Sequence, residues 1–223
     1  MITPLVLSFD LDDTLWPVGP LMIAAESAML SWLRERHPDI MRHHDATSMR
    51  ALRMRVAAQF PERSHDFTFL RRSALAQMFR DAGYDENHAD AAFEVFFTAR
   101  NRVQLFDDVE ASLQRLRLRY RLFALSNGNA DLERCGIAHL FEGHVTAIAA
   151  GAAKPDARIF TRLLELSGVE AARVLHVGDD PHADVVGAMQ SGLQAAWLNR
   201  DAKQWPADLK PPSRTISTLA EIL

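Results

Sequence analysis

A single cysteine, Cys135, gives this 223-residue chain no partner for an intrachain disulfide, and nothing near it supplies the low-pKa setting a catalytic thiol needs. It reads as a buried or half-buried thiol. No stretch approaches the ~18 uninterrupted apolar residues of a membrane span. The first apolar run has no basic segment before it and meets Asp10 early, unlike a signal peptide, so the expected location is the cytoplasm. A net positive charge is also lacking: a net charge of -4 and a pI near 6.1 do not give the basic footprint of a nucleic-acid binder. GxSxG, HExxH and GxxxxGK[ST] are missing, which removes the local signatures of serine hydrolases, zincins and P-loop proteins. No internal repeat is present, and Pro211-Pro212 reads as a short loop rather than a linker. Apolar residues are plentiful, at 48% of the chain, enough for a substantial core in one large domain or a core with an accessory unit.

The apolar run Leu5-Val6-Leu7-Ser8-Phe9 reads as a buried parallel strand, and it ends in Asp10-Leu11-Asp12-Asp13-Thr14. Two carboxylates two positions apart at a strand exit repel each other unless a cation lies between them. Mg2+ suits such a place, because it takes oxygen ligands, often one or two carboxylates together with substrate phosphate. One carboxylate can then attack phosphorus and the other can exchange protons. Taken alone, the pentapeptide is equally compatible with a helix cap or a solvated loop.

Three further clusters follow apolar runs of their own. Leu122–Leu125 leads to Ser126-Asn127-Gly128-Asn129, a hydroxyl in a glycine-adjacent turn that can present donors to phosphate oxygens. Lys154-Pro155-Asp156 comes next, and Pro155 is expected to open a helix with Lys154 beside its positive end. Val174–Val177 then runs into Gly178-Asp179-Asp180-Pro181-His182-Ala183-Asp184. Each has a plain structural account: Ser126 as a turn residue, Lys154 as a surface lysine, Asp180 as the cap ahead of Pro181.

In that order, acid, hydroxyl, lysine and acid resemble the four motifs of the haloacid dehalogenase superfamily, over Asp10 to Asp184. The resemblance implies Asp10 as nucleophile and Asp12 as general acid/base. It implies Ser126, Lys154 and the backbone N–H of Asn127 as the phosphate-binding groups. Mg2+ is the implied cofactor, held by Asp10, Asp179 and the backbone carbonyl of Asp12, with Asp184 acting from behind the ligands; whether Asp180 or Asp184 is that second acid stays open. The superfamily's 2-haloacid dehalogenases use no metal and lack the second carboxylate of the first motif. Asp12 is present here, so phosphoester hydrolysis is favoured over dehalogenation. A phosphomutase on the same scaffold and a non-catalytic phosphometabolite-binding protein remain as alternatives.

From Trp16 to Gln104 the pattern turns helical. Leu21, Ala25, Met29, Trp32 and Leu33 share a face, breaks fall at His37-Pro38 and Phe60-Pro61, and further periodic stretches run from Phe67 to Phe79 and from His88 to Arg102. This insert, 16–104, is expected to be an all-helical cap like those of the superfamily, with residues 1–15 and 105–223 forming the core. Beyond it, strands and helices alternate: helices are expected at Val109–Leu116, Asp131–Leu140, Ile159–Leu166 and Pro181–Ser191, with strands at Phe123–Leu125, Val145–Ile148, Val174–Val177 and Ala195–Leu198. The expected fold is therefore α/β, a Rossmann-like doubly wound parallel sheet with an inserted all-helical cap domain. Arg115, Arg117, Arg119 and Arg121 read as a solvated helix end and turn. His43-His44-Asp45 reads as an exposed loop, and His176 as a packed core residue.

His65-Asp66-Phe67, Arg71-Arg72-Ser73, Ser126–Ala130 and His176–Asp180 together resemble a bacterial subgroup that hydrolyses flavin mononucleotide and a phosphorylated ribitylamino-pyrimidine of riboflavin synthesis. The implied partner is a small phosphorylated metabolite, with no nucleic acid and no membrane, and the implied assembly a monomer or homodimer. Trp32, Phe67, Phe69 and Phe97 could stack on an aromatic substrate or pack the helical bundle.

Overall fold

The computed structural model describes residues 2–222, apart from the side chain of His43. The chain enters the sheet with β1 (Val6–Phe9), buried at every position. A parallel strand covered on both faces needs a continuous apolar run rather than alternation. Ser8 is the exception, and its hydroxyl is bonded to Nδ1 of His176 at 2.8 Å.

Five helices follow: α1 (Val18–Arg36), α2 (Pro38–His43), α3 (Ala46–Gln59), α4 (Phe67–Asp81) and α5 (His88–Arg100). Val18–Val103 is a compact unit of its own, built around Met29, Leu33, Met78, Phe79, Ala92 and Phe96. Pro38 sits in the first turn of α2, where its missing N–H costs nothing. The side chain of Asp45 accepts from the N–H of Ser48 in a reciprocal capping box that starts α3, so this residue is a helix cap rather than a loop acid. His43's side chain lies outside the described residues. Asp66 caps α4 in the same way through the N–H of Phe69 at 2.8 Å. Of the four aromatic residues proposed for stacking, Trp32, Phe69 and Phe97 pack against the unit's own core, whereas Phe67 is 49% exposed.

The second unit comprises the remainder of the chain. It continues with α6 (Val109–Leu116), β2 (Arg121–Ser126), β3 (Gly143–Thr146), α7 (Ala147–Ala150), α8 (Ala157–Ser167), β4 (Val174–Gly178), α9 (Gly187–Gln190), β5 (Gln194–Leu198) and β6 (Arg214–Ile216). The six strands form one sheet in the order β3-β2-β1-β4-β5-β6, with every neighbouring pair parallel. Strand order reverses direction between β1 and β4, which makes the carboxyl ends of those strands the topological switch point. Register sets the level of the site: Phe9 pairs with Ala124 on one side and Val177 on the other. Asp10, Ser126 and Asp179 therefore emerge within a residue or two of one another beyond the sheet edge. Among the described residues no helix is long and apolar enough to cross a membrane.

Two expected helices differ. Residues 131–140 form turns with only a short 3-10 segment at Ala138–Leu140. The side chain of Asp131 takes the N–H groups of Glu133 and Arg134, and Gly136 adopts a left-handed φ of 76°. Pro181–Ser191 divides into a π-helical turn at Pro181–Val186, ahead of α9. Such wide turns concentrate at functional sites, and this one carries Asp184.

Candidate active site

The loop after β1 is fixed at both ends. The N–H of Asp10 donates to the carbonyl of Val177 at 2.9 Å, and Leu15 and Thr14 turn back onto the carbonyl of Leu11 at 2.7 and 3.2 Å. Asp13 sits at φ 57°, a conformation an L residue holds only when its surroundings enforce it. The indole N–H of Trp16 donates to Oδ1 of Asp12 at 2.8 Å, which aims the second carboxylate of the loop.

Lys154 is buried beneath this loop. Its ammonium donates to Oδ1 of Asp10, to Oδ1 of Asp184 at 2.6 Å and to the carbonyl of Leu125 at 2.8 Å, so all three of its protons are used. The surface-lysine reading is thereby excluded. Pro155 does not open a helix: α8 begins at Ala157, capped by the side chain of Asp156. Lys154 is held instead by Asn127, whose side-chain amide donates to the Lys154 carbonyl at 3.0 Å and accepts from its N–H at 2.6 Å. Sequence reasoning assigns Asn127 only a backbone donor. This reciprocal pair spans 27 positions in sequence, and no local pattern announces it. Ser126, at the end of β2, is buried, and its hydroxyl accepts from the N–H of Gly128 at 2.9 Å.

Beyond β4, the two candidate second acids separate. Asp180 accepts from the N–H groups of His182 and Ala183 at 2.8 and 2.7 Å and is a cap. Asp184 turns inward, accepting from the N–H of Asp180 at 3.0 Å and bonding His176 Nε2 at 3.2 Å. Burial pushes the pKa of His176 down, and the tautomer with the proton on Nε2 satisfies both contacts, donating to Asp184 and accepting from Ser8 at Nδ1. Gly178 is required here, because a Cβ would lie 2.3 Å from the Asp184 carboxylate. Asp179 accepts from the Thr14 hydroxyl at 3.1 Å, and its carbonyl accepts from the indole of Trp197 at 2.8 Å.

Oxygens of Asp10, Asp179 and Asp184 lie within 4.8 Å of one another. Burial opposes ionisation of Asp184, but Lys154 and His176 outweigh it and hold its pKa low. Asp10 and Asp179 receive less. Burial first, then neighbouring carboxylates, raises Asp10 well above the ordinary range despite Lys154, and burial with Asp184 pushes Asp179 up to about 7. Fully ionised, three carboxylates against one ammonium would leave two negative charges uncompensated. An all-oxygen donor set with that deficit fits one hard divalent cation. A cavity of about 250 Å³ opens beside Asp179, lined also by Asp13, Phe106, Asn199, Arg200 and Lys203.

Comparison with known proteins agrees with this geometry. The profile of the haloacid dehalogenase-like hydrolases matches residues 5–192. The chain is 34% identical to 5-amino-6-(5-phospho-D-ribitylamino)uracil phosphatase YigB of Escherichia coli (strain K12), over 97% of this chain and 93% of that one. It is 32% identical to phosphoserine phosphatase of Thermus thermophilus, over 68% and 63%. Among solved structures, 2-haloacid dehalogenase from Pseudomonas syringae pv. Tomato DC3000 superposes with a TM-score of 0.93 at 37% identity, over 100% of this chain and 96% of that one. The chain therefore belongs to the haloacid dehalogenase-like hydrolase family, and within it to the phosphatases.

Proposed function

We propose that this phosphatase is a Mg2+-dependent phosphomonoesterase that works through an aspartyl-phosphate on Asp10. The observation that carries the reading is the convergence of Asp10, Lys154, Asp179 and Asp184 in one buried cluster, with Asp12 two residues along the same loop. Substrate phosphate lies against the Ser126 hydroxyl, the N–H of Asn127 and the Lys154 ammonium. Asp10 attacks phosphorus in line as the bond to the leaving oxygen breaks, and Asp12 protonates that oxygen. Asp12, now a carboxylate, then takes a proton from water, which attacks phosphorus, releases phosphate and restores Asp10. Asp10, Asp179 and the carbonyl of Asp12 would hold Mg2+, with Asp184 behind them, and the ion would neutralise charge on the transferring group.

Because Asp12 acts on the leaving group, Asp12→Ala is expected to lower kcat about 10²- to 10⁴-fold with sugar phosphates. With p-nitrophenyl phosphate, whose phenolate departs without a proton, the loss should be at least about tenfold smaller. Equal losses for the two substrates would remove the acid role.

A ribitylamino-pyrimidine phosphate is the substrate we favour, on the strength of the 34% identical relative and the activity its name carries, with flavin mononucleotide, which bears the same ribityl phosphate, as a second candidate. A screen of phosphometabolites with and without chelator, ranked by specificity constant, tests the whole reading. Phosphate release that needs Mg2+ and peaks on a ribityl phosphate supports it; release untouched by chelator rejects the metal.

The solved relative described as a 2-haloacid dehalogenase brings a second reading, attack by Asp10 on carbon. Such a reaction has no use for Asp12 or for a cation at Asp179. Halide release from 2-haloacids at a rate rivalling phosphate release would favour it.

A further inference from the structure

Arg200 lies just beyond β5, outside every motif that stands out in the sequence. Its side chain is only 14% exposed. Nη1 and Nη2 donate to the two carboxylate oxygens of Asp108 at 2.8 and 3.3 Å, and Nε and Nη2 donate to the carbonyl of Thr14 at 3.2 and 3.0 Å. Asp108 also accepts from the N–H of Leu219 at 2.7 Å. The guanidinium covers the ring of Phe106 at 4.2 Å, and the N–H of Phe106 reaches the carbonyl of Leu15 at 3.0 Å. The loop after β1, the entry to α6, the end of β5 and the C-terminal turn thus share one guanidinium.

The loop under this clamp is the one that holds Asp13 in the left-handed region. Thr14 faces two ways: its carbonyl is held by Arg200, and its hydroxyl donates to Oδ1 of Asp179 at 3.1 Å. A shift of Thr14 therefore moves the loop bearing Asp10 and Asp12 relative to Asp179. The planar guanidinium takes both oxygens of the Asp108 carboxylate and the Thr14 carbonyl through three nitrogens in one plane, a bidentate geometry that a lysine ammonium does not reproduce.

We infer that Arg200, oriented by Asp108, is a positioning residue that fixes Thr14 and through it the spacing of the Asp10–Asp12 loop from Asp179. The inference rests on the proposed roles of those carboxylates. The test uses the full chain as wild type, Arg200→Lys and Asp108→Asn, with Arg200→Ala added if it folds. Mn2+ affinity is read from the paramagnetic resonance signal of free ion, and kcat and KM are measured with p-nitrophenyl phosphate at saturating Mg2+. Arg200→Lys and Asp108→Asn are each expected to weaken Mn2+ binding by about 10- to 100-fold, as loss of a group supporting metal ligands does. Each should also lower kcat while KM stays within about threefold. A merely structural clamp would lower the melting temperature and leave Mn2+ affinity and kcat of the folded protein at wild-type values, which would overturn the inference. If the wild type releases phosphate and Arg200→Lys matches it in both readouts, the clamp fails and the phosphatase stands. If the wild type releases none, the proposed function fails and the Mn2+ measurement alone decides the clamp.

Discussion

Asp10→Asn is expected to lower phosphate release by at least about 10⁴-fold, the scale on which loss of a covalent nucleophile acts, while leaving the chain folded. An asparagine oxygen can still accept from Lys154, so the hydrogen bond to Asp10 has a successor. Asp184 remains as the ion-pair partner of that lysine at 2.6 Å. Asp10→Asn also removes a carboxyl whose ionisation burial disfavours despite Lys154. In chelator the variant should therefore melt at or above the wild-type temperature. Loss of turnover with retained melting behaviour identifies a chemical role, and a variant that hydrolyses p-nitrophenyl phosphate at the wild-type rate would eliminate Asp10 as the attacking group.

Strands are legible because a parallel sheet covered on both faces demands uninterrupted apolar runs. Leu122–Leu125 satisfies that demand outright, Leu5–Phe9 and Val174–Val177 do so apart from Ser8 and His176, which bond each other, and the three runs supply β1, β2 and β4. Helices inserted after β1 are legible for the complementary reason, since α1 buries Ala25, Met29 and Leu33 on one face. Residues 131–140 mislead because Leu132, Ile137 and Leu140 are buried at spacings a helix tolerates. What decides against a helix there is the Asp131 side chain competing for backbone N–H groups and Gly136 at φ 76°. Pro181–Ser191 misleads in a different way. Val185 donates to the carbonyl of Asp180 at 3.3 Å, five residues back, and periodicity has no means of anticipating one widened turn.

Within the site, residue types in order are readable, and their support is not. Asp10, Asp12, Ser126, Lys154, Asp179 and Asp184 stand out because acids, a hydroxyl and a lysine at strand exits are unusual in combination. Asn127, His176 and Arg200 do their work through partners far away in sequence: Lys154 for the first, Ser8 for the second, Thr14 and Asp108 for the third. Strand register sets Ser8 beside His176, and the packing of loops beyond the strand ends brings the other pairs together. His176 is the core residue its apolar run implies, yet its bond to Asp184 makes it part of the cluster's electrostatics.

Lys154→Met is expected to reverse the contribution of Asp184 to the pH dependence of stability as well as to abolish activity. In the wild-type fold, burial works against the Asp184 carboxylate, but Lys154 and His176 hold its pKa below the unfolded value. That contribution is present above the ordinary carboxylate range and is lost as pH falls through the folded pKa. Without the ammonium, Asp184 faces Asp10 and Asp179 in a buried site and its folded pKa rises above the unfolded one, while that of Asp10, raised already in the wild type, rises further. The folded state then binds more protons than the unfolded state, so stability falls as pH rises. At about pH 8 the variant should be less stable than wild type by about 3–5 kcal/mol, the usual cost of breaking a buried ion pair, and much of that should return at about pH 5, where the carboxyls are protonated. Denaturant unfolding in chelator at the two pH values measures both slopes. Equal stability of the two proteins at the higher pH would mean that Lys154 does not neutralise this cluster. The same charge deficit predicts that adding Mg2+ at the higher pH stabilises the wild type, because a ligand bound only by the folded state shifts the equilibrium toward it.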